Sequence, residues 1–262
     1  MLGELLPLLQ VLSSTLFLLV LGAEDLKTRE LSGRVVYAYL STGVVLYVLT
    51  LLTARSLLEV LVYTAFTLAV APGFFFVLYK HKFTGDGDVY TSLALGLALY
   101  HPLAYRATLV KQGVLPPALM VVLYASITAA LYSLLHGVLN ILRHRDLLAQ
   151  VPAKYKALLV VTATPVKAGE YAENPKYKHY YPVQVFEVTS QGLEVKFNLA
   201  GLSDTARERV LELVERSIIP RDYVLWVTPG LPYVFYMLVG LVVVVLLGDK
   251  PIYYLLAKIL GV

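Results

Sequence analysis

The sequence predicts an α-helical polytopic membrane protein with six transmembrane helices and a small α+β cytoplasmic domain inserted before the last helix. Of its 262 residues, 58% are hydrophobic and 15% are charged, whereas a soluble domain has about 45–50% apolar and about 25% charged residues. Six apolar runs are close to the ~17–25 residues that cross a bilayer as a helix. More than half of the charged residues lie within residues 143–228, which predicts separate apolar and polar domains.

Hydropathy and proline positions place the six spans. Pro116 and Pro117 open the fifth span, and Pro229 and Pro232 open the sixth, as expected for prolines near the start of a helix. Residues 252–260 are too short to cross again, and we interpret them as an interfacial tail. The predicted spans are residues 5–23, 35–53, 57–79, 88–105, 115–142 and 231–247.

Basic residues predict the orientation of the chain. Lys and Arg accumulate in the cytoplasmic loops of membrane proteins, and here they favour the loops after the first, third and fifth spans. We therefore expect these loops and the inserted domain to face the cytoplasm, with the protein in the plasma membrane. The net charge of +4 then requires no nucleic-acid partner. The basic residues of these loops are Lys27, Arg29, Arg34, Lys80, Lys82, Arg143 and Arg145.

The chain is predicted to divide into a membrane domain at residues 1–142, a cytoplasmic α+β domain at 143–228, and the sixth span with its tail at 229–262. Within the α+β domain, β-branched or alternating runs predict strands, and an apolar stripe predicts a helix. The tyrosine-rich segment 169–181 is predicted to be a mobile loop. The predicted strands are residues 157–163, 183–188, 193–199 and 223–227, and the predicted helix is residues 205–216.

Carboxylates at the ends of the spans are the candidate functional residues, because ionisable groups in membrane helices are costly. Asp25 closes the first span, which runs inward, and Asp88 opens the fourth span from the inside. The topology therefore places both carboxylates at the same depth on the cytoplasmic side. Asp249 lies in a Gly-Asp-Lys-Pro string on the opposite side, and we interpret it as a turn residue.

Two carboxyl groups that share a proton titrate in separate steps, so one remains an ionised base while the other remains a neutral acid. Amide hydrolysis requires this combination, because a base must activate water and an acid must protonate the departing nitrogen. Gly85 and Gly87, on either side of Asp86, would let an extended peptide approach the backbone. The chain has no cysteine, which excludes thiolate metal sites and disulfides, and we expect no metal and no cofactor.

Two stretches around these aspartates resemble the motifs of archaeal type IV prepilin and preflagellin peptidases, which are Gly-x-Gly-Asp aspartyl proteases. They read EDLKTRELSGR at residues 24–34 and TGDGDVYTSLALGLALYHP at 84–102, and WVTPGLPYVFYMLVG at 226–240 is similar to the last helix of the family. The resemblance implies that Asp25 and Asp88 are the catalytic pair and that Asp86 occupies a variable position.

The resemblance also implies a substrate, namely a prepilin or preflagellin precursor whose short basic leader lies in the cytoplasm before an apolar helix. Glu24, Glu30 and Asp86 would attract such a leader. The chain departs from the family pattern at Gly33 and Tyr90, where the family often has Asn or Asp and Lys. The cysteine-bound zinc loop and the methyltransferase activity of bacterial relatives have no counterpart, so we expect peptidase activity alone.

Three other interpretations stay open at this stage. A proton-coupled transporter also uses membrane carboxylates, although these usually lie near the midplane of the bilayer and often within repeats. A presenilin-like or signal-peptide-peptidase-like protease shares the Gly-x-Gly-Asp element, but its first aspartate follows a tyrosine on the immediately preceding helix, whereas here Glu24 precedes Asp25 and two spans separate the aspartates. A catalytically inactive assembly scaffold built around the inserted domain is the third.

Overall fold

A computed structural model of the protein describes residues 2–54, 56–81, 84–189, 192–197 and 204–261. These residues form two compact units, Met1–Ala129 with Pro232–Val262, and Ala130–Leu231. The boundary at 129/130 falls within a helix that continues to residue 143. The predicted class, a helical membrane protein with a small sheet-containing domain before its last helices, is confirmed.

The first unit is helical. It contains a 3-10 helix at Pro102–Ala107 between its fourth and fifth α-helices. Its α-helices are α1 Leu2–Thr28, α2 Gly33–Thr53, α3 Leu57–Lys80, α4 Asp86–Ala98, the first half of α5 Pro117–Arg143, α10 Tyr233–Leu247 and α11 Lys250–Leu260.

Four described helices, α1, α2, α3 and α5, are long and apolar enough to cross a membrane, or five spans if α10 and α11 count as one span bent by 81°. The predicted count of six spans is not confirmed. The helix in the fourth predicted span has only 13 residues, about 20 Å at 1.5 Å per residue against a hydrocarbon core of about 30 Å. It cannot continue to residue 105, because Pro102 favours an extended conformation at the preceding His101.

The long helices present apolar side chains outward. A soluble protein would bury many of these groups, whereas a bilayer solvates them. The first unit is therefore built to lie in lipid. Examples of exposed side chains are Leu16, Leu52, Leu58, Val62 and Phe76.

Packing inside the first unit centres on α4, which contacts α1, α2, α3 and α10. The helices approach one another closely where glycine replaces a side chain. A Cβ added at Gly240 of α10 would lie 2.3 Å from the carbonyl oxygen of Val121 in α5. Any larger residue at this position would push α10 away from α5.

The second unit contains the small sheets. Strands β1 Thr164–Lys167, β2 Tyr180–Pro182 and β5 Val224–Pro229 form an antiparallel sheet in the order β1-β5-β2, and β3 Gln184–Thr189 pairs with β4 Gly192–Phe197 as a hairpin. The remaining helices are α6 Arg145–Ala149, α7 Ala153–Thr162, α8 Ala168–Glu173 and α9 Asp204–Glu215.

Two predictions for this unit are wrong, the strand at 157–163 and the mobile loop at 169–181. The predicted strand at 157–163 belongs to α7, where Ala, Lys and Leu outweigh the β-branched residues. The side chain of Asn140 also donates hydrogen bonds to the carbonyls of Val160 and Ala163, which satisfies acceptors at the end of the helix.

The segment 169–181 is not a loop, because it contains most of α8, a 3-10 helix at Pro175–Tyr177 and the start of β2. Tyr171 and Tyr177 are buried in the core of the unit, and the Tyr171 hydroxyl donates to the carbonyl of Tyr180. The structure contains the strands predicted near 183, 193 and 223 and the helix predicted near 205. Residues 198 and 199 of the predicted strand at 193–199 lie outside the described residues.

Candidate active site

Asp25 is a buried carboxylate near the end of α1, with 6% of the residue exposed. Its Oδ2 atom accepts hydrogen bonds from the backbone N–H groups of Val234 at 2.9 Å and Phe235 at 3.4 Å. These residues lie in the first turn of α10, whose N–H groups have no partner within the helix and favour an anion. The N-terminus of α10 therefore orients the Asp25 carboxylate.

Asp88 is a half-buried residue in the first turn of α4. Its Oδ2 accepts from the Thr84 hydroxyl and from the Gly85 N–H. The carboxylate thus caps the helix from the third position of its first turn, where a negative charge is favoured. These two hydrogen bonds fix the position of its side chain.

The helices that carry the two aspartates are neighbours, as the sequence predicts. Helix α1 contacts α4, and the charge of Asp88 acts on the carboxyl group of Asp25. Both bonds that Asp25 accepts end on Oδ2, and within the described residues no donor reaches its Oδ1. One oxygen of Asp25 is therefore free for a water molecule or a substrate.

The glycines of the motif differ from each other. Gly85 is exposed, with open space where a Cβ would be, whereas a Cβ at Gly87 would lie 2.9 Å from Cδ1 of Leu31. Gly87 therefore lets α4 pack against the turn that follows α1. Asp86 is exposed, and its Oδ1 accepts from the Gly87 N–H at 2.8 Å.

The other predicted acidic residues have different surroundings. Glu24 accepts a hydrogen bond at Oε2 from the Ser32 N–H at 2.9 Å, which ties the end of α1 to the start of α2. Glu30 is exposed, and its carbonyl accepts from the Thr28 hydroxyl. Of the two, Glu30 is the one whose carboxylate is presented to the solvent.

Sequence reasoning missed two residues beside this pair. Tyr233, the first residue of α10, shares a hydrogen bond with Ser126 and lies within electrostatic reach of Asp88. Arg29 acts electrostatically on Asp25. Pro232 signals that a helix begins nearby, but no local pattern in the sequence indicates that this helix end meets Asp25.

Asp249 lies in the predicted turn between α10 and α11, but it is buried rather than solvated. Its Oδ2 accepts from the N–H groups of Val114 at 2.6 Å and Leu115 at 2.8 Å. Asp249 therefore holds the segment that leads into α5. In the part of the chain that the structure describes, no group of three His, Cys, Asp or Glu side chains is arranged to hold a metal ion.

Comparison with known families gives two matches. Residues 12–134 match the type IV leader peptidase family, and residues 155–250 match the C-terminus of archaeal A24 peptidases of type II. The first match contains both aspartates, and the second contains the start of α10. No curated protein matches the sequence.

Proposed function

Because the chain belongs to the archaeal group of the type IV leader peptidase family, we propose that it is an aspartic-type endopeptidase whose catalytic residues are Asp25 and Asp88. The protein is a multi-pass membrane peptidase by family and by its apolar helices. The observation that carries the proposal is the packing of α1, which contains Asp25 near its end, against α4, whose first turn contains Asp88. Family membership also favours a peptidase over a transporter or a scaffold.

In the proposed reaction, a water molecule lies between the two carboxyl groups. The ionised carboxylate takes a proton from the water while the water oxygen attacks the scissile carbonyl carbon. The neutral carboxyl donates its proton to the carbonyl oxygen. When the tetrahedral intermediate collapses, the C–N bond breaks, the nitrogen receives the proton that came from water, and the aspartate that had given up its proton takes one back from a hydroxyl of the intermediate. The free Oδ1 of Asp25 gives this water a place to bind.

The proposed substrates are prepilin or preflagellin precursors. A helix must unwind before its backbone fits a protease, and unwinding costs least at the membrane surface, where water can satisfy the peptide groups. The exposed carboxylates of Glu30 and Asp86 would attract the basic leader. Glu24, which is bonded to the Ser32 N–H, contributes negative charge from a fixed position. No methyltransferase activity is expected.

We place the aspartates on the cytoplasmic face of the plasma membrane. The support is the basic character of the loop after α1, which contains Arg29 and Arg34 and follows the charge rule for cytoplasmic loops. A leader that is still in the cytoplasm would meet the carboxylates on this side. The inserted domain would face the same compartment.

Membrane vesicles test the reaction and its sidedness together. A synthetic peptide with a short Lys-rich leader and an apolar segment is added to inverted and to right-side-out vesicles that contain the protein, and cleavage is followed by mass spectrometry. We expect two products, from inverted vesicles alone, at a rate that a chelator leaves unchanged. Vesicles containing Asp25→Asn are the matched control. Cleavage restricted to right-side-out vesicles would contradict the orientation, and a loss of rate that zinc restores would contradict the aspartyl mechanism.

A further inference from the structure

Arg29 adopts a backbone conformation that is unusual for its residue type. It follows the last residue of α1 with φ of +56°, in the left-handed region, and its N–H donates to the carbonyl of Asp25 at 3.2 Å. Helices often end in this way, but the residue in this position is usually glycine or asparagine, because a larger side chain is strained there. An arginine at this position therefore does not stabilise the backbone conformation.

The side chain of Arg29 is equally unusual. Its Nη1 atom is buried and, among the described residues, has no hydrogen-bond partner. A buried donor without an acceptor is unfavourable, and a guanidinium offers five N–H groups that need acceptors. The guanidinium nevertheless lies close enough to act on the Asp25 carboxyl, although no ion pair within 4.0 Å joins the two in the described structure.

A strained backbone and an unpartnered donor in one residue are typical of functional sites, where such costs persist because the group acts on a ligand. The donor here belongs to the residue whose backbone N–H is bonded to the carbonyl of Asp25, at the same end of α1 as that carboxylate. A peptide bond under attack by water develops negative charge on its carbonyl oxygen, and a buried cationic donor stabilises that charge. The neutral carboxyl of the pair gives its proton to the same oxygen, and a second donor would stabilise the negative charge that builds before that transfer is complete.

We propose that Arg29 is a substrate-binding residue whose Nη1 donates a hydrogen bond to the carbonyl oxygen of the scissile peptide as that oxygen becomes negative. This inference rests on the proposed peptidase function. Arg29 would then act mainly in the transition state, so its loss would lower kcat more than it raises KM.

The decisive variant is Arg29→Gly, because glycine removes the guanidinium and also relieves the left-handed backbone. Purified protein in liposomes is compared with wild type for kcat and KM on the leader peptide and for melting temperature. We expect kcat to fall by about 10²–10³-fold, the range for loss of one such donor, while KM changes little and the melting temperature is unchanged or higher. Added guanidinium ion should restore part of the turnover.

Two further variants sharpen the test. Arg29→Lys keeps a positive charge without the planar fork and should retain part of the activity, whereas the exposed Arg34→Ala should behave as wild type. Wild-type kcat in Arg29→Gly, or a loss of kcat that accompanies a lower melting temperature and is not rescued by guanidinium, would overturn the inference. If wild type itself cleaves no leader peptide, the proposed function fails, and this outcome is distinct from the failure of Arg29 alone.

Discussion

Asp25→Asn and Asp88→Asn should each lower the rate of leader cleavage by about 10²–10⁴-fold, the usual contribution of a general acid or base. Asparagine keeps a carbonyl oxygen that can accept the N–H groups of Val234 and Phe235 at position 25, or the Thr84 hydroxyl at position 88. The fold should therefore survive while proton transfer is lost. Rates are measured with purified variants in liposomes on the same peptide.

Asp86→Asn is the matched control, because Asp86 lies two residues from Asp88 but is exposed. It removes a charge from the same helix end without removing a carboxyl group from the pair. We expect its rate to stay within about tenfold of wild type, since a single exposed charge contributes little. Near-wild-type cleavage by either Asp25→Asn or Asp88→Asn would remove the aspartyl mechanism.

Much of this site could be predicted from the sequence, because the positions of the two aspartates depend mainly on where α1 ends and where α4 begins. Hydropathy identifies α1, basic loop residues predict its direction, and the Gly-x-Gly-Asp string marks where α4 starts. Together they predict that Asp25 and Asp88 lie at one depth, without any knowledge of packing. The contact between α1 and α4 then confirms the expected pairing of the two helices.

Other parts of the site could not be predicted, because they depend on which helices become neighbours. The N–H groups of Val234 and Phe235 reach Asp25 across more than 200 residues of chain, and hydropathy carries no information about such packing. The end of α4 was missed because a hydropathy window averages over the interruption at Pro102. The helix α7 was missed because β-branched residues at its end resemble a strand.

Asp249→Ala should destabilise the protein strongly, although the sequence suggests only a turn at this position. The carboxylate is 3% exposed and accepts two backbone N–H groups, those of Val114 and Leu115. Hydrogen bonds to a charged group contribute about 1.5–3 kcal/mol each, so the loss of both should cost about 3 kcal/mol or more. For a chain of this size the melting temperature should then fall by roughly 6–12 °C.

The exposed Asp222 in the second unit provides the control, because Asp222→Ala changes the same chemical group without removing a buried acceptor. Melting temperatures of both variants are measured in the same detergent as wild type. We expect the Asp222 variant to match wild type to within a degree or two. Equal melting temperatures for the two variants would mean that Asp249 does not hold the segment before α5.

The central claim is that Asp25 and Asp88 jointly activate one water molecule, and a peptide isostere tests it most directly. Once the masses of the products have located the cleaved bond, a peptide is made with a hydroxymethylene group in place of the scissile carbonyl, and a matched peptide carries a plain methylene there. The hydroxyl imitates the tetrahedral intermediate and should bind between the two carboxyl groups. The wild-type protein should therefore bind the hydroxyl peptide at least about 10²-fold more tightly than the methylene peptide, and Asp25→Asn should lose that preference. Equal affinity of the wild-type protein for the two peptides would contradict joint activation of water by this pair.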